Sequence, residues 1–370
     1  MGSRAVQGVP RQTRNGVRRL RVVQVDSGTS WRGGQRQALL LATGLRDRGH
    51  EPMLIGVPKS PLVDRARAAG LAVAATTMRA DWDFRAAQKI RARVRAWNAD
   101  LVHAHDARAH ALSMLALLGQ TRVPLIVTRR VPFTPRSARL KYGDRIARFI
   151  AISYAVRNAM VTGGIDETRI DVVHSGIALP TSTVVPRDWR AERGWAADTV
   201  LLGVVGAMTV EKGIDMLESI GSRIPADARS SARIVMLGGD SSGPASFAGI
   251  PVWRAGFIDD ILPAVAGLDV LIHPSRAEGL GTAVLDAMAV GVPPLAFGVG
   301  GLTEVIEHGK SGILVPPGDT AAFARECARL ILDRQLRQRL GNAAAERAQS
   351  FGAFEMTKGV EAVYNRVLRG

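Results

Sequence analysis

Two acidic residues, Glu278 and Asp286, lie eight positions apart around a glycine-rich loop. Val270 to His273 is an apolar run typical of a strand, and Gly279 and Gly281 precede a helix that we expect to begin near residue 281. Uncovered amides at the positive end of that helix favour a diphosphate. Asp286 would lie two turns along the helix, roughly 12 Å away. Each carboxylate can therefore accept hydrogen bonds from a hydroxyl pair, one of a sugar and one of a ribose.

A simpler interpretation exists for an isolated pair, in which Glu278 caps the helix and Asp286 is a solvated helical residue. Lys212 bears on the choice because it follows the first predicted strand of the second half of the chain. A fixed ammonium group there would stabilise the charge that develops on a departing phosphate. Alone, a lysine before a glycine would be a surface residue, so its role depends on the surrounding residues.

A second glycine-rich segment, 31–35, opens a predicted helix in the first half. The backbone amides of Gly33 and Gly34 can hold an acceptor hydroxyl or a donor phosphate. The segment has neither the Walker spacing nor the G-x-G-x-x-G spacing, so it gives little support for a nicotinamide cofactor.

Three polar residues, His103, His105 and Asp106, end another predicted strand. His105 or Asp106 would contact the acceptor or the donor, or else belong to an ordinary polar loop. His103 and His105 alternate along the strand, and no second cluster completes a ligand set, so we expect no metal site.

The elements that position these residues follow a repeating pattern of short apolar runs and longer amphipathic stretches, such as 35–48 and 84–97. The pattern predicts an α/β fold with two parallel sheets covered on both faces. The predicted strands cover residues 20–25, 52–57, 71–74, 101–103, 125–128 and 149–152, then 200–205, 233–237, 252–254, 270–273, 294–297 and 313–315.

Domain boundaries follow from an aperiodic stretch over 178–189 that contains two prolines. We predict a flexible basic tail over residues 1–20, a first domain over 21–180 and a second domain over 181–353. A last helix over 354–369 is expected to pack back onto the first domain.

The segment 273–286, H-P-S-R-A-E-G-L-G-T-A-V-L-D, resembles the Glu-x7-Glu motif of the retaining GT-B glycosyltransferases of family 4. Segments 30–52, 100–106, 206–213 and 298–305 resemble further pieces of that family in the same order. The resemblance implies two Rossmann-like doubly wound domains that face each other across a cleft, with the acceptor on the first and the donor on the second. It also implies metal-independent transfer of a sugar from a nucleotide diphosphate sugar, a UDP- or GDP-sugar, with retention at the anomeric carbon.

Carried over by position, the resemblance implies that Glu278 contacts donor-sugar hydroxyls, Asp286 contacts the ribose, and Lys212 neutralises the diphosphate. The predicted catalytic residues are Glu278, Lys212 and Arg130. The predicted donor-binding residues are Gly34, Gly206, Lys212, Glu278, Gly279, Leu280, Gly281, Thr282 and Asp286. The predicted acceptor-side residues are Gly33, His105 and Asp106.

The sequence departs from the family pattern at four positions: Ala207 replaces an arginine, Arg130 a histidine, Ser175 an asparagine and Asp286 a glutamate. One explanation is that Arg130 supplies across the cleft the phosphate cation that Ala207 lacks, since guanidinium groups bind phosphate bidentately. The other is that the chain binds its ligand without turnover. We favour the first because Glu278, Lys212 and the glycine-rich loops are retained.

Composition limits the class of protein: 370 residues with 46% hydrophobic and 22% charged residues are typical of a two-domain α/β enzyme. The only cysteine, Cys327, excludes an internal disulfide and fits a reducing cytoplasm. The tail lacks the apolar run of a signal peptide, and no apolar stretch is long enough to span a bilayer. We therefore expect a soluble or peripheral membrane protein.

The net charge of +16 is concentrated partly in the first half, which favours anionic partners. The basic residues there form a solvated face or bind an anionic inner-membrane surface that presents a lipid-linked or saccharide acceptor for cell-envelope synthesis. Nucleic acid is not expected because no nucleic-acid motif accompanies the charge. The basic residues of the first half are Arg85, Lys89, Arg91, Arg93, Arg95, Arg129, Arg130, Arg136, Arg139, Lys141, Arg145 and Arg148.

Two other functions share this architecture. A sugar-nucleotide 2-epimerase would need its own acid and base carboxylates and no acceptor. A non-catalytic binding partner of another transferase would explain Ala207 and Asp286.

Overall fold

The structure is a computed structural model that describes residues 18–119, 122–134, 143, 145–239 and 242–369. Most of the predicted tail, residues 1–17, lies outside the described residues. Within the rest of it, Leu20 is buried in the core and Arg18 forms an ion pair with Asp100, at 2.9 Å. The last residues of the predicted tail therefore belong to the first domain.

The first sheet has seven parallel strands in the order β3-β2-β1-β4-β5-β6-β7. Its central strands are buried on both faces, as expected for near-continuous apolar runs in a parallel sheet. The last strand has only three residues, which is why no apolar run predicted it. The strands are β1 (Arg21–Val25), β2 (Glu51–Gly56), β3 (Ala72–Ala75), β4 (Leu101–Ala104), β5 (Leu125–Arg129), β6 (Ile146–Ala151) and β7 (Ile170–Val172).

The helices of the first domain begin after strands that end at the same edge of the sheet. Four of them start where the side chain of Ser60, Asp83, Asp106 or Ser153 accepts a hydrogen bond from a backbone amide of the first turn. The helices are α1 (Gly33–Asp47), α2 (Pro61–Ala68), α3 (Phe84–Ala96), α4 (Ala107–Ala116) and α5 (Tyr154–Thr162), with a 3-10 turn at Glu167–Arg169.

The second sheet also has seven strands, in the order β10-β11-β9-β8-β12-β13-β14. Its edge differs from the prediction because β10 pairs with β11 in antiparallel orientation through a two-residue turn. A two-residue strand carries no periodic signal in the sequence. The strands are β8 (Val200–Val205), β9 (Ala232–Leu237), β10 (Ser246–Phe247), β11 (Ile250–Gly256), β12 (Val270–His273), β13 (Pro294–Phe297) and β14 (Ile313–Val315).

Helices cover both faces of the second sheet. Helix α12 packs its apolar face on β13, with Phe323 against Phe297 at a ring-centroid distance of 5.0 Å. The helices are α6 (Trp189–Arg193), α7 (Leu217–Gly221), α8 (Ala226–Ser230), α9 (Ile261–Ala266), α10 (Thr282–Ala289), α11 (Leu302–Val305), α12 (Thr320–Leu332) and α13 (Arg334–Ala348), with 3-10 turns at Val210–Lys212, Ile214–Met216 and Gln349–Phe351.

The last helix, α14 (Ala353–Arg369), returns to the first domain, where Tyr364 and Val360 join the buried cluster that contains Leu41 of α1. The two chain passages between the domains run side by side. Ile177 donates its amide to the Phe351 carbonyl at 2.9 Å, and its own carbonyl accepts from the Ala353 amide at 2.8 Å. The domains are therefore joined along one line.

The prediction of two doubly wound, largely parallel sheets is confirmed. Within the described part of the chain, no helix combines the length and the apolar character needed to cross a membrane.

Candidate functional site

The loop between β12 and α10 positions the first acidic residue. Gly281, at φ 92°, is the residue before α10, and no side chain caps the helix. A left-handed residue at this position favours glycine. The loop is held closely, since a Cβ atom on Gly300 would lie 1.9 Å from the carbonyl oxygen of Glu278. The first-turn amides of α10 are thus left without a side-chain partner, as expected, and Glu278 does not cap the helix.

Glu278 forms what we call the donor cluster with Lys212 and His273. Its Oε1 accepts from the Lys212 ammonium and lies 2.7 Å from Nε2 of His273, which is 3.1 Å from Oγ of Ser275. Burial alone would raise the pKa of the Glu278 carboxyl, but the hydrogen bond and charge of His273 and the Lys212 ion pair outweigh it and lower the pKa to about 2. Glu278 is therefore a carboxylate in any physiological pH range.

Lys212 reaches this cluster because its loop is docked on the β12–α10 loop. Gly213 has φ 73°, and a Cβ atom there would lie 1.9 Å from the carbonyl oxygen of Pro274. Only glycine permits that approach. The Arg276 amide also donates to the carbonyl of Glu211, at 2.9 Å.

Gly206 directly follows β8. It has φ 129°, and a Cβ atom on Gly238, after β9, would lie 2.3 Å from the carbonyl oxygen of Gly206. The neighbouring Ala207 is exposed. Because it is alanine, only a methyl group extends from that position.

Asp286 is buried on α10, which contradicts the alternative of a solvated helical residue. Its carboxylate accepts a bidentate pair from Arg36 of α1, at 2.5 and 2.8 Å, across the two domains. Burial opposes the charge of Arg36, but the hydrogen bonds and charge of Asp286 outweigh it and raise the pKa of the guanidinium. The two acids of the predicted site therefore each have a cationic partner.

The glycine-rich start of α1 lies opposite the start of α10. A Cβ atom on Gly33 would lie 3.5 Å from Oγ1 of Thr282, and one on Gly34 would lie 3.8 Å from Cδ of Arg130. No side chain caps α1 either. The structure thus brings the two predicted glycine loops to the same cleft.

Arg130 contacts the second domain through its backbone, because a Cβ atom on Gly279 would lie 2.1 Å from the Arg130 carbonyl oxygen. Its side chain instead faces its own domain. Nη2 lies 3.1 Å from Nδ1 of His105, whose Nε2 is 2.7 Å from Oε1 of Gln24. We call Arg130, His105, Gln24 and nearby Asp26 the first-domain cluster.

Burial dominates the charges of this cluster. It lowers the pKa of Arg130 to about 10 although Asp26 and Asp106 favour the charged form. Burial, His103 and Arg130 hold the pKa of His105 well below its usual range. Burial and the neighbouring Asp106 raise the pKa of Asp26. His105 is thus a buried neutral group beneath the cleft rather than an open contact.

Asp106 is occupied by structural hydrogen bonds. It accepts from the Ala109 amide of α4 at 2.9 Å and from the amide and hydroxyl of Ser27, both at 2.6 Å. His103 lies 2.6 Å from both the Tyr364 hydroxyl and Oγ1 of Thr128. Among the residues that the structure describes, no group of three or more His, Cys, Asp or Glu side chains is arranged to hold a metal ion.

Glu304, on α11, makes a further polar contact between the domains. It accepts from the Tyr154 and Ala155 amides of α5, both at 3.0 Å, and lies 2.8 Å from Nε2 of His174. Glu304 lies inside segment 298–305, which resembles the glycosyltransferase family. The sequence nevertheless predicted no role for Glu304, Arg36, His273 or Ser275. For His273 a signal existed, because it is a polar residue that ends a buried strand in the same loop.

The basic surface is only partly described. Arg136, Arg139 and Lys141 lie outside the described residues, and Arg148 pairs with Asp171, at 2.8 Å. Three aromatic side chains are exposed on loops that follow β3 and β5 or at the start of α3. They are Trp82, Phe84 and Phe133.

Comparison with known proteins covers both domains. Residues 31–179 match the family described as Glycosyltransferase Family 4, and residues 199–333 match the one described as Glycosyl transferases group 1. A D-inositol 3-phosphate glycosyltransferase of Streptomyces bingchenggensis is 30% identical over 73% of this chain and 67% of its own length. The sulfoquinovosyl transferase of Arabidopsis thaliana is 34% identical over 40% of this chain, which spans only 29% of that protein.

Solved structures show the same fold. HepE of Anabaena in complex with UDP-glucose aligns with 94% of this chain and 100% of its own, at 20% identity and a TM-score of 0.80. Sucrose-phosphate synthase of Thermosynechococcus elongatus aligns with 95% of this chain and 100% of its own, at 20% identity and a TM-score of 0.75. With the two facing sheets and the family matches over both, the chain belongs to the GT-B glycosyltransferases of family 4.

Proposed function

We propose that this protein transfers a sugar from a UDP- or GDP-sugar to an acceptor hydroxyl, with retention at the anomeric carbon and without a metal ion. The observation that carries the proposal is the donor cluster, which sets Lys212 and Glu278 side by side at the uncapped start of α10. Cations and free amides at a helix start bind phosphate, and carboxylates bind sugar hydroxyls.

In this proposal the second domain holds the donor. Glu278 accepts from hydroxyls of the donor sugar, Asp286 from the ribose, and Lys212 stabilises the diphosphate as it departs. Amides of the two helix starts and of the β8 loop complete the site. The residues that supply them are Gly34, Gly206, Gly279, Leu280, Gly281 and Thr282.

Transfer with retention then needs no covalent enzyme intermediate. The bond between the anomeric carbon and the phosphate oxygen breaks, the bond to the acceptor oxygen forms on the same face, and the acceptor proton passes to the departing phosphate oxygen. Glu278 is a poor base for that proton because its pKa is lowered to about 2. Detection of a glycosyl-enzyme adduct by mass spectrometry would overturn this step.

The acceptor site belongs to the first domain in this proposal. Gly33 opposes Thr282 at the cleft, while His105 and Asp106 support the loops beneath it and Arg130 lies between them and Gly279. Exposed Trp82, Phe84 and Phe133 favour an acceptor with an apolar part, such as a lipid-linked saccharide of the cell envelope.

The same aromatic residues and the basic surface support binding to the cytoplasmic face of a membrane rich in anionic lipids. Co-sedimentation with vesicles of phosphatidylglycerol and phosphatidylcholine tests it. We expect binding that weakens as salt is raised, because salt screens surface charge. Binding unchanged in high salt would contradict the electrostatic part.

The central experiment measures the melting temperature with a panel of UDP-, GDP- and ADP-sugars, followed by transfer assays with the donor that binds. A ligand at 100 times its Kd adds about 2.7 kcal/mol of stability. We expect a UDP- or GDP-sugar to do so and NMR of the product to show the retained anomer. Conversion of the sugar nucleotide without acceptor would indicate an epimerase, and binding without turnover on any acceptor would indicate a non-catalytic partner.

A further inference from the structure

The pair between Arg36 and Asp286 joins residues 250 positions apart, one on each domain. Asp286 is almost fully buried, whereas the Arg36 side chain is 22% exposed at the cleft. Both guanidinium nitrogens that face Asp286 are engaged, so the geometry is the bidentate one that arginine also uses for phosphate. Arg36 is therefore a fixed cation at the mouth of the predicted donor site.

Charge balance indicates what this cation does. The described site holds two carboxylates, Glu278 and Asp286, each paired with one cation, Lys212 or Arg36. A nucleotide diphosphate sugar brings hydroxyl pairs for the carboxylates and negative phosphates for the cations. When hydroxyls take the place of the cations on the carboxylates, both cations become available to the diphosphate.

We propose that Arg36 is the second cation of the donor site and that its guanidinium passes from Asp286 to the diphosphate when the nucleotide binds. This assignment rests on the proposed function. It makes the first domain part of the donor site, since Arg36 extends from α1. It also supplies the positive charge that Ala207 does not.

The surroundings of α1 support this position. Gly33, three residues before Arg36, faces Thr282 at the start of α10. A phosphate beside this contact would meet the positive ends of both helices. Arg36 reaches α10 through Asp286, whereas the Arg130 guanidinium has His105 of its own domain as its neighbour.

The experiment measures the Kd of the nucleoside diphosphate that binds the wild type, together with the matching nucleoside monophosphate and nucleoside, by calorimetry. Arg36→Ala should weaken binding of the diphosphate about 10- to 100-fold, the range expected for charge-assisted hydrogen bonds, and should not weaken binding of the nucleoside. Arg36→Lys should restore part of the loss. Arg46→Ala is the matched control, since Arg46 is exposed near the other end of α1 and pairs with Asp47.

Other outcomes would overturn the assignment. Tighter binding of all three ligands to Arg36→Ala would mean that Arg36 only blocks Asp286. Equal weakening of diphosphate and nucleoside would mean that it only positions the ribose side, and unchanged affinities in both Arg36 variants would mean that it contacts nothing. Failure of the wild type to bind any nucleoside diphosphate overturns the proposed function itself. Melting curves exclude misfolding, and Arg36→Lys keeps the test valid if Arg36→Ala does not fold.

Discussion

The donor cluster and the first-domain cluster treat buried charge in opposite ways. In the donor cluster, His273 and Lys212 outweigh burial and hold the pKa of Glu278 at about 2. In the first-domain cluster, burial prevails, and it lowers the pKa of Arg130 to about 10 and raises that of Asp26. The donor cluster thus keeps its carboxylate charged, whereas burial in the first-domain cluster favours the neutral forms of Arg130 and Asp26.

The charged groups of a ligand are therefore expected at the donor cluster and not at the first-domain cluster. A charge that is paired with a part-exposed partner can exchange that partner for a ligand, as Glu278 can exchange Lys212. A buried neutral group such as His105, which lies 2.7 Å from Gln24, has no charge to exchange and instead fixes the shape of the loops above it. We therefore expect the donor cluster to bind the ligand and the first-domain cluster to support the loops around it.

The largest effect is expected for Lys212→Ala, which removes the cation beside the departing phosphate. Turnover should fall about 100- to 1,000-fold, as for loss of a preorganised charge-stabilising donor. The measurement is the turnover number with saturating donor and acceptor. Lys358→Ala is the control, because Lys358 is exposed on α14 and pairs with Glu355. An unchanged turnover number would contradict the role of Lys212 beside the departing phosphate.

Arg130→Ala should lower turnover about tenfold or more, equivalent to about 1.4 kcal/mol, because it leaves Asp26 and Asp106 without their common counter-charge. We expect this variant to retain affinity for the nucleoside diphosphate, in contrast to Arg36→Ala. Steady-state kinetics and calorimetry separate the two effects. Arg93→Ala, at an exposed position of α3, is the control. Full activity of Arg130→Ala would remove Arg130 from the site.

Acid should destabilise the first domain through His103, whose pKa burial and Arg130 lower to about 3. Below pH 6.5 the unfolded chain binds a proton that the folded histidine does not, so the unfolding free energy falls with pH. The window runs from about pH 6.5 down to about pH 3, at about 1.4 kcal/mol per pH unit.

Urea unfolding at several pH values in this window checks that expectation. His103→Gln should give a flatter dependence on pH than the wild type, whatever its stability at neutral pH. His308→Gln, at an exposed histidine, is the matched control. Equal slopes for wild type and His103→Gln would show that the histidine is already accessible to protons.

The smallest effect on turnover is expected for Glu304→Gln, which weakens a contact between the domains without touching either cluster. Loss of the charge that accepts from the Tyr154 and Ala155 amides should lower the unfolding free energy by about 1 to 2 kcal/mol. Small-angle scattering would show whether the domains separate. Glu326→Gln, at an exposed pair with Arg329, is the control and should change neither quantity.

Much of the fold was predictable because each central strand is an apolar run and long helices such as α1 and α3 have an amphipathic period. The start of α10 was also predictable, since Gly281 needs a left-handed backbone that the sequence marks with glycine. The two strands that were missed, β7 and β10, have three and two residues and lie at sheet edges. Elements that short have too few positions to show alternation.

Contacts between the domains were not predictable. Arg36 and Glu304 each bind a residue 130 or more positions away, and nothing local in the sequence records that proximity. The orientation of Arg130 was equally hidden, because its backbone faces one domain and its side chain the other. Residue types thus indicated which chemistry was available, and the tertiary structure decided which charges meet.

The paired chain passages at Ile177 and Phe351 have a mechanical consequence. Because they are hydrogen-bonded to each other, we expect relative motion of the domains to be a rotation about the line along which they run. Gly176 lets the passages lie this close, since a Cβ atom there would meet the Ala353 Cα at 2.7 Å. Gln37 binds Gly176 through both backbone groups, and it is the neighbour of Arg36 on α1. Through two successive residues, α1 thus contacts the paired chain passages at Gln37 and the second domain at Arg36. It therefore couples the line between the domains to the cleft.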